Sequence, residues 1–160
     1  MTDVANLIDP FLRTSRDTAP GSELLVIPEW DETAWRELFS YAQPVQVRVG
    51  ELLIRSGATE RALFFVTSGS LEIVRSIGEA SFGTIAAVLP GSVVGELGFF
   101  DGRPRTAKVW ATKDSMLLRL DEAAYRRYLA AHPARAAELM FSLGRLMALR
   151  HRRTIMQASR

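Results

Sequence analysis

Between residues 45 and 120 apolar and polar positions alternate in short runs, and beyond residue 120 the period changes. Val45, Val47 and Val49 alternate with Gln46 and Arg48, a period of two that suits a strand with one face in a core and one in water. Further apolar or alternating runs occupy 51–54, 63–67, 71–75, 85–89, 108–111 and 116–120. Gly50, Gly57, Gly69, Gly78, Gly83, Gly91 and Gly95 separate them at spacings typical of all-β turns. So many brief segments disfavour a parallel α/β sheet, whose crossovers need about a dozen residues each. They predict a mainly β fold with flanking helices, of the double-stranded β-helix or jelly-roll type, in which curling the sheet protects its edges.

Helical spacing flanks this region. Asp31 is placed to cap a helix through Thr33, Ala34, Trp35, Arg36, Glu37, Leu38, Phe39 and Tyr41, with Trp35, Leu38 and Phe39 on one face and Pro44 stopping it. Asp121 is a second cap, for a helix over 121–130 with Glu122 in its first turn. Pro133 opens a longer helix over 134–156, at a position where a missing N–H is harmless. Ala136, Met140, Leu143 and Met147 step along it by threes and fours toward Arg150, and Leu139 and Leu146 broaden the stripe. That face is expected to pack on the β core, on a protein partner or second copy, or both. Residues 1–28 mix Asp, Pro, Thr, Ser and Gly with short apolar pairs, which predicts an extended or loosely packed N-terminal arm before a single domain over 29–160.

Composition narrows the chemistry. With 160 residues, 48% of them hydrophobic, the chain has room for one domain with a real core. There is no cysteine, so disulfides and thiolate metal sites are excluded. His132 and His151 are the only histidines, too few for a histidine-rich metal site or a metal enzyme of the cupin type. No catalytic residue, metal or cofactor is expected. The first residues carry Asp3 and Asp9 without a basic region, and no run approaches the roughly 18 apolar residues that span a bilayer, so a cytoplasmic protein without a transmembrane segment is expected. Net charge is +2. Arg145, Arg150, Arg152, Arg153 and Arg160 gather near the end of the chain, either as a solvated helix tail or as a contact for nucleic acid, an acidic partner or anionic lipid.

The densest chemical signal lies in 90–109. Glu96 follows the turn at Gly95 and could accept hydrogen bonds from a sugar diol, with Gly98 keeping the backbone close to a ligand. Arg105 offers a guanidinium fork to a phosphodiester, and Thr106 beside it adds a hydroxyl. A short helical turn over 97–100 would point free N–H groups at the anion. Pro104 restricts the loop, and Ala107 leaves space. The same acid and arginine would also suit a plain ion pair on a loop.

The run Gly95-Glu96-Leu97 through Arg105-Thr106-Ala107 resembles the phosphate-binding cassette of the cyclic nucleotide-binding domain family. Gly50-Glu51, Gly57, the hairpin-like Phe65-Val66-Thr67-Ser68-Gly69-Ser70-Leu71 and Pro90-Gly91 extend the similarity over roughly 30–150, as in the sensor domain of bacterial cyclic AMP receptor proteins. The resemblance implies that Glu96 holds a ribose 2′-hydroxyl and Arg105 the cyclic phosphate, with Gly95, Leu97, Gly98, Thr106 and Ala107 completing the site. Gly98 departs from the alanine or other small residue usual there, and Phe99 and Phe100 replace a small aliphatic pair. Retention of the carboxylate argues against a cyclic dinucleotide.

The resemblance favours cyclic AMP, with cyclic GMP as the alternative, because Thr106 could serve either phosphate or guanine. Leu63, Val74 and Val88 are candidates to lie under the base, and Arg145, Met147, Arg150 and His151 to cover it from the last helix. The implied function is a non-catalytic sensor signalling through movement of that helix, toward a protein partner or homodimer. The alternative is an interaction module that keeps the fold and has lost the ligand. About ten residues at most follow the long helix, so no helix-turn-helix DNA-binding domain is expected.

Overall fold

The computed structural model describes residues 4–17, 23–78 and 81–159. In chain order, α1 (Val4–Asp17) and α2 (Glu32–Phe39) precede β1 (Gln43–Val47), β2 (Leu52–Ile54), β3 (Ala62–Gly78), β4 (Ser81–Val88) and β5 (Val93–Val94). The short α3 (Glu96–Asp101) then leads into β6 (Lys108–Asp121), α4 (Glu122–Ala131) and α5 (Pro133–Ala158). Six antiparallel strands form one sheet ordered β1-β6-β3-β4, with β2 also paired to β6 and β5 to β3. This is the expected jelly-roll with flanking helices.

Both helix caps form. Asp31 Oδ1 accepts from the Ala34 N–H at 2.9 Å, and Asp121 Oδ1 from the Ala124 N–H at 2.8 Å. Pro133 is the first residue of α5.

Alternation along β3 sorts the core into two layers. Ala62, Phe64 and Val66 face inward with Ile54, Val94, Val109 and Leu117. Leu63 and Phe65 face the helices and pack with Phe11, Trp35, Phe39, Leu118, Tyr128 and Leu143. The Phe39 and Phe65 rings meet edge-on at 5.2 Å, and Trp30 and Trp35 at 4.8 Å.

Two expectations are corrected. The signal at 65–71 is not a hairpin: β3 runs through it, so 63–67 and 71–75 belong to one strand, as 108–111 and 116–120 do in β6. Gly69, at φ +88°, bends the strand without reversing it. A Cβ there would collide with Ser115 Oγ and the Asp114 carbonyl on β6, so the two strands bend against each other. The N-terminal arm is not extended over 4–17 but helical. Leu7, Ile8 and Phe11 enter the core at helical spacing, and the Phe11 ring lies 4.9 Å from that of Trp35. Asp, Pro and Thr around them masked the stripe. Residues 1–3 and 18–22 of the arm and Arg160 of the arginine group lie outside the described residues.

Candidate functional site

β5 places the cassette by pairing with β3 through Phe64↔Val94 and Phe65↔Val93. At Gly95 the chain turns with φ +90° and enters α3. A Cβ at Gly95 would stand 2.6 Å from the Ala62 carbonyl, so only glycine fits this close approach to β3. Gly102, also left-handed, ends α3. Arg61 holds that end from outside, its Nε and Nη2 donating to the Phe99 and Phe100 carbonyls at 3.0 Å each. The sequence reading missed Arg61; a cation opposite helix-end carbonyls carries no local signal.

Arg105 reaches back under α3 and is nearly buried. Its Nη1 donates to the Gly95 carbonyl at 2.6 Å and its Nη2 to those of Glu60 and Ala62 at 2.7 and 3.3 Å. Its backbone is clasped as well, by Ala58 O at 2.8 Å and the Gly57 N–H at 2.8 Å. Nε is buried and, among the described residues, has no hydrogen-bond partner. Burial pulls the Arg105 pKa below the ordinary arginine value, while Glu60, Glu96 and Asp101 act to raise it. Arginine remains a cation at neutral pH under such a shift.

Glu96, also buried, does not pair with Arg105. Its Oε1 lies 2.7 Å from Nη1 of Arg150 on α5, an ionic contact off the hydrogen-bonding direction. Arg150 Nη2 donates to the Val93 carbonyl at 2.7 Å and to Ser92 Oγ at 3.1 Å. The loop ion pair between positions 96 and 105 is therefore replaced by an anchor from 54 residues downstream.

Glu96 and Arg105 share the wall of a cavity of about 420 Å³, with Gly95, Leu97, Gly98, Thr106 and Ala107. Ile54, Ile73, Val94 and Val109 supply its apolar side, and Asp101, Arg103 and Pro104 its rim. A second cavity of about 200 Å³ adjoins it through Ile73 and is lined by Val88, Ala86, Leu24, Glu23 and Arg150. Among the described residues, no group of three or more His, Cys, Asp or Glu could hold a metal ion, and no helix is long and apolar enough to cross a membrane.

The base candidates separate. Val88 and Arg150 stand on the second cavity. Leu63 is corrected: it has no exposed surface and faces the helices, because alternation turns it away from the inner layer. Val74 is corrected too. It lies in a different depression with Trp110 and Glu72, and its neighbour Ile73 faces the cavity instead. Arg145 and Met147 are half-buried and His151 exposed, and none of the three lines either cavity.

A curled antiparallel sheet carrying a buried arginine and a buried carboxylate on one cavity defines a candidate sugar-phosphate site. The sequence model of the cyclic nucleotide-binding domain matches residues 44–132, more than half of the chain, and the chain belongs to that family. A cyclic nucleotide-binding domain from Methylobacillus flagellatus superposes with a TM-score of 0.79 at 22% identity, covering 94% of this chain and 81% of that one. An uncharacterised ABC transporter ATP-binding protein of Mycobacterium bovis is 28% identical over 83% of this chain and 44% of its own length. A CRP-like cAMP-activated global transcriptional regulator of Mycobacterium tuberculosis is 27% identical over 78% of this chain and 54% of its own. The chain thus spans about half the length of these curated relatives.

Proposed function

We propose that the chain is a non-catalytic, cytoplasmic sensor of a 3′,5′-cyclic mononucleotide, cyclic AMP ahead of cyclic GMP, and that it signals by moving α5. The observation that carries this reading is a buried arginine and a buried carboxylate on the wall of one cavity. In such a nucleotide the 3′-oxygen belongs to the phosphate ring, so the 2′-hydroxyl alone, rather than a diol, donates to Glu96. Arg105 meets the phosphate, and Thr106, Leu97 and Gly98 complete its contacts. A cAMP-activated regulator among the relatives supports cyclic AMP. Val88 and Arg150, across Ile73, flank the space into which the base extends.

The Glu96–Arg150 contact supports the signalling role, because it joins the carboxylate that receives the ligand's 2′-hydroxyl to α5. The ligand shifts α5 by as much as it prefers one arrangement of that contact over another. On the outer side of α5, Phe141, Gly144, Ala148 and Ile155 are exposed at steps of three, four and seven, a seam that suits a second copy or a partner helix. One observation favours the alternative of a ligand-free interaction module: Arg150 already neutralises Glu96. Calorimetric titration with cyclic AMP, cyclic GMP and cyclic di-GMP separates the two. Saturable binding of a cyclic mononucleotide supports the sensor; no heat with any of the three supports the interaction module.

A further inference from the structure

Arg103 has no role in the site described above, yet it stands on the rim of the cavity whose wall Arg105 helps to form. It precedes Pro104, which holds the residue before it in extended conformation. Arg103, Pro104 and Arg105 all border the cavity. Their surroundings differ. Arg105 is nearly buried and tied to three carbonyls. Arg103 is exposed, and among the described residues its guanidinium has neither a hydrogen bond nor an ion pair. The nearby carboxylate of Asp101 accepts from the Arg103 main-chain N–H at 2.9 Å.

The charges on the wall leave a remainder. Glu96 is balanced by Arg150, so two arginines, 103 and 105, stand against the single acid Asp101. One positive charge is in excess, the amount a phosphodiester monoanion neutralises. A cyclic phosphodiester has two exocyclic oxygens, and three of the five N–H groups of Arg105 are already committed to carbonyls.

We infer that Arg103 is a second phosphate-binding cation, which closes over the mouth of the cavity and holds the exocyclic oxygen that Arg105 leaves to solvent. The inference rests on the sensor reading for its ligand. It adds a mobile, solvent-side contact to a fixed, buried one, and it makes binding sensitive to ionic strength, because an exposed cation is screened by salt.

The test is calorimetric titration of the full chain and of Arg103→Ala, Arg103→Gln and Arg103→Lys with cyclic AMP at two salt concentrations, with thermal unfolding of each variant. All three variants are expected to unfold at the wild-type temperature, because the side chain has no partners to lose. Arg103→Ala and Arg103→Gln bind roughly three- to tenfold more weakly with a shallower salt dependence, and Arg103→Lys recovers part of the loss. Wild type that binds while Arg103→Ala matches it in affinity and salt dependence overturns the inference and leaves the sensor intact. Wild type that binds no cyclic mononucleotide overturns the sensor reading, and this inference with it.

Discussion

The guanidinium of Arg105 occupies the space that a side chain at Gly98 would fill. A Cβ on Gly98 would lie 2.6, 2.7 and 2.8 Å from Nη1, Cζ and Nε of Arg105. Glycine there gives the arginine its seat under α3, and the departure from a small aliphatic residue at 98 becomes a packing requirement of this chain.

Gly98→Ala sets two effects against each other. Alanine is the better helix former by about 0.5–1 kcal/mol, but the methyl group displaces a guanidinium held by the Gly95, Glu60 and Ala62 carbonyls. Weakening those charge-assisted bonds costs more, about 1.5–3 kcal/mol. Urea unfolding should therefore show net destabilisation of about 1 kcal/mol, with nucleotide affinity falling in parallel. A more stable Gly98→Ala protein would mean that the guanidinium moves aside freely.

Arg105→Ala loses both the phosphate cation and the donor for three carbonyls. Affinity for cyclic AMP should fall by about 30- to 1000-fold, the equivalent of roughly 2–4 kcal/mol, and the unfolding midpoint should drop as well. Arg105→Lys should rescue little of either, since one ammonium cannot replace a planar fork spread over three carbonyls. Calorimetry and urea unfolding on the same preparations read both effects. A lysine variant equal to the parent would show that charge alone suffices.

Asp121 links stability to pH. Its pKa lies below the usual carboxylate value of 3.8, first because the Ala124 N–H bonds its charged form and then through Arg119. A depressed folded-state pKa stabilises the fold fully above the unfolded value and ceases to do so as pH falls through the folded value. Asp121→Asn keeps a capping oxygen without the charge, so below about pH 4 its stability should decline less steeply than that of the parent. Asp121→Ala should lose about 1 kcal/mol at neutral pH. Equal pH profiles for the Asp121→Asn variant and the parent would remove Asp121 from the account of acid stability.

Tyr128 is fully buried, and among the described residues its hydroxyl has no hydrogen-bond partner. Burial pushes its pKa well above the ordinary tyrosine value. Tyr128→Phe removes an unsatisfied polar atom and leaves the ring against Tyr41 and His132. Stability should hold or rise by about 1 kcal/mol. A loss larger than that in thermal unfolding would reveal a hydrogen bond made by this hydroxyl.

Local chemistry was legible in the residues, and long-range parity was not. The caps at Asp31 and Asp121, the start at Pro133 and the change of period after residue 120 each depend on neighbours in the chain, and each took the expected form. The role of Gly69 depends on what crosses it: the same glycine closes a hairpin or bends a long strand, and only β6 on the far side decides. The register shifts against β6 around Ser68 and Ser70 alter which faces β3 presents downstream, and Ile73 rather than Val74 meets the cavity. In the site, the clustered residues of 95–107 do come together on one wall, because a short loop holds them there. The partner of Glu96 on α5 was out of reach, since no spacing rule connects a carboxylate with an arginine on a helix that packs against it only after folding.

The central claim is that Glu96 and Arg105 serve one ligand in one cavity. A crystal structure of the full chain with cyclic AMP tests it most directly. A phosphate oxygen is expected within about 3 Å of the Arg105 guanidinium, and the 2′-hydroxyl at a similar distance from the Glu96 carboxylate. Nucleotide bound elsewhere, or a cavity that stays empty at saturating cyclic AMP while Arg150 keeps Glu96, would contradict it.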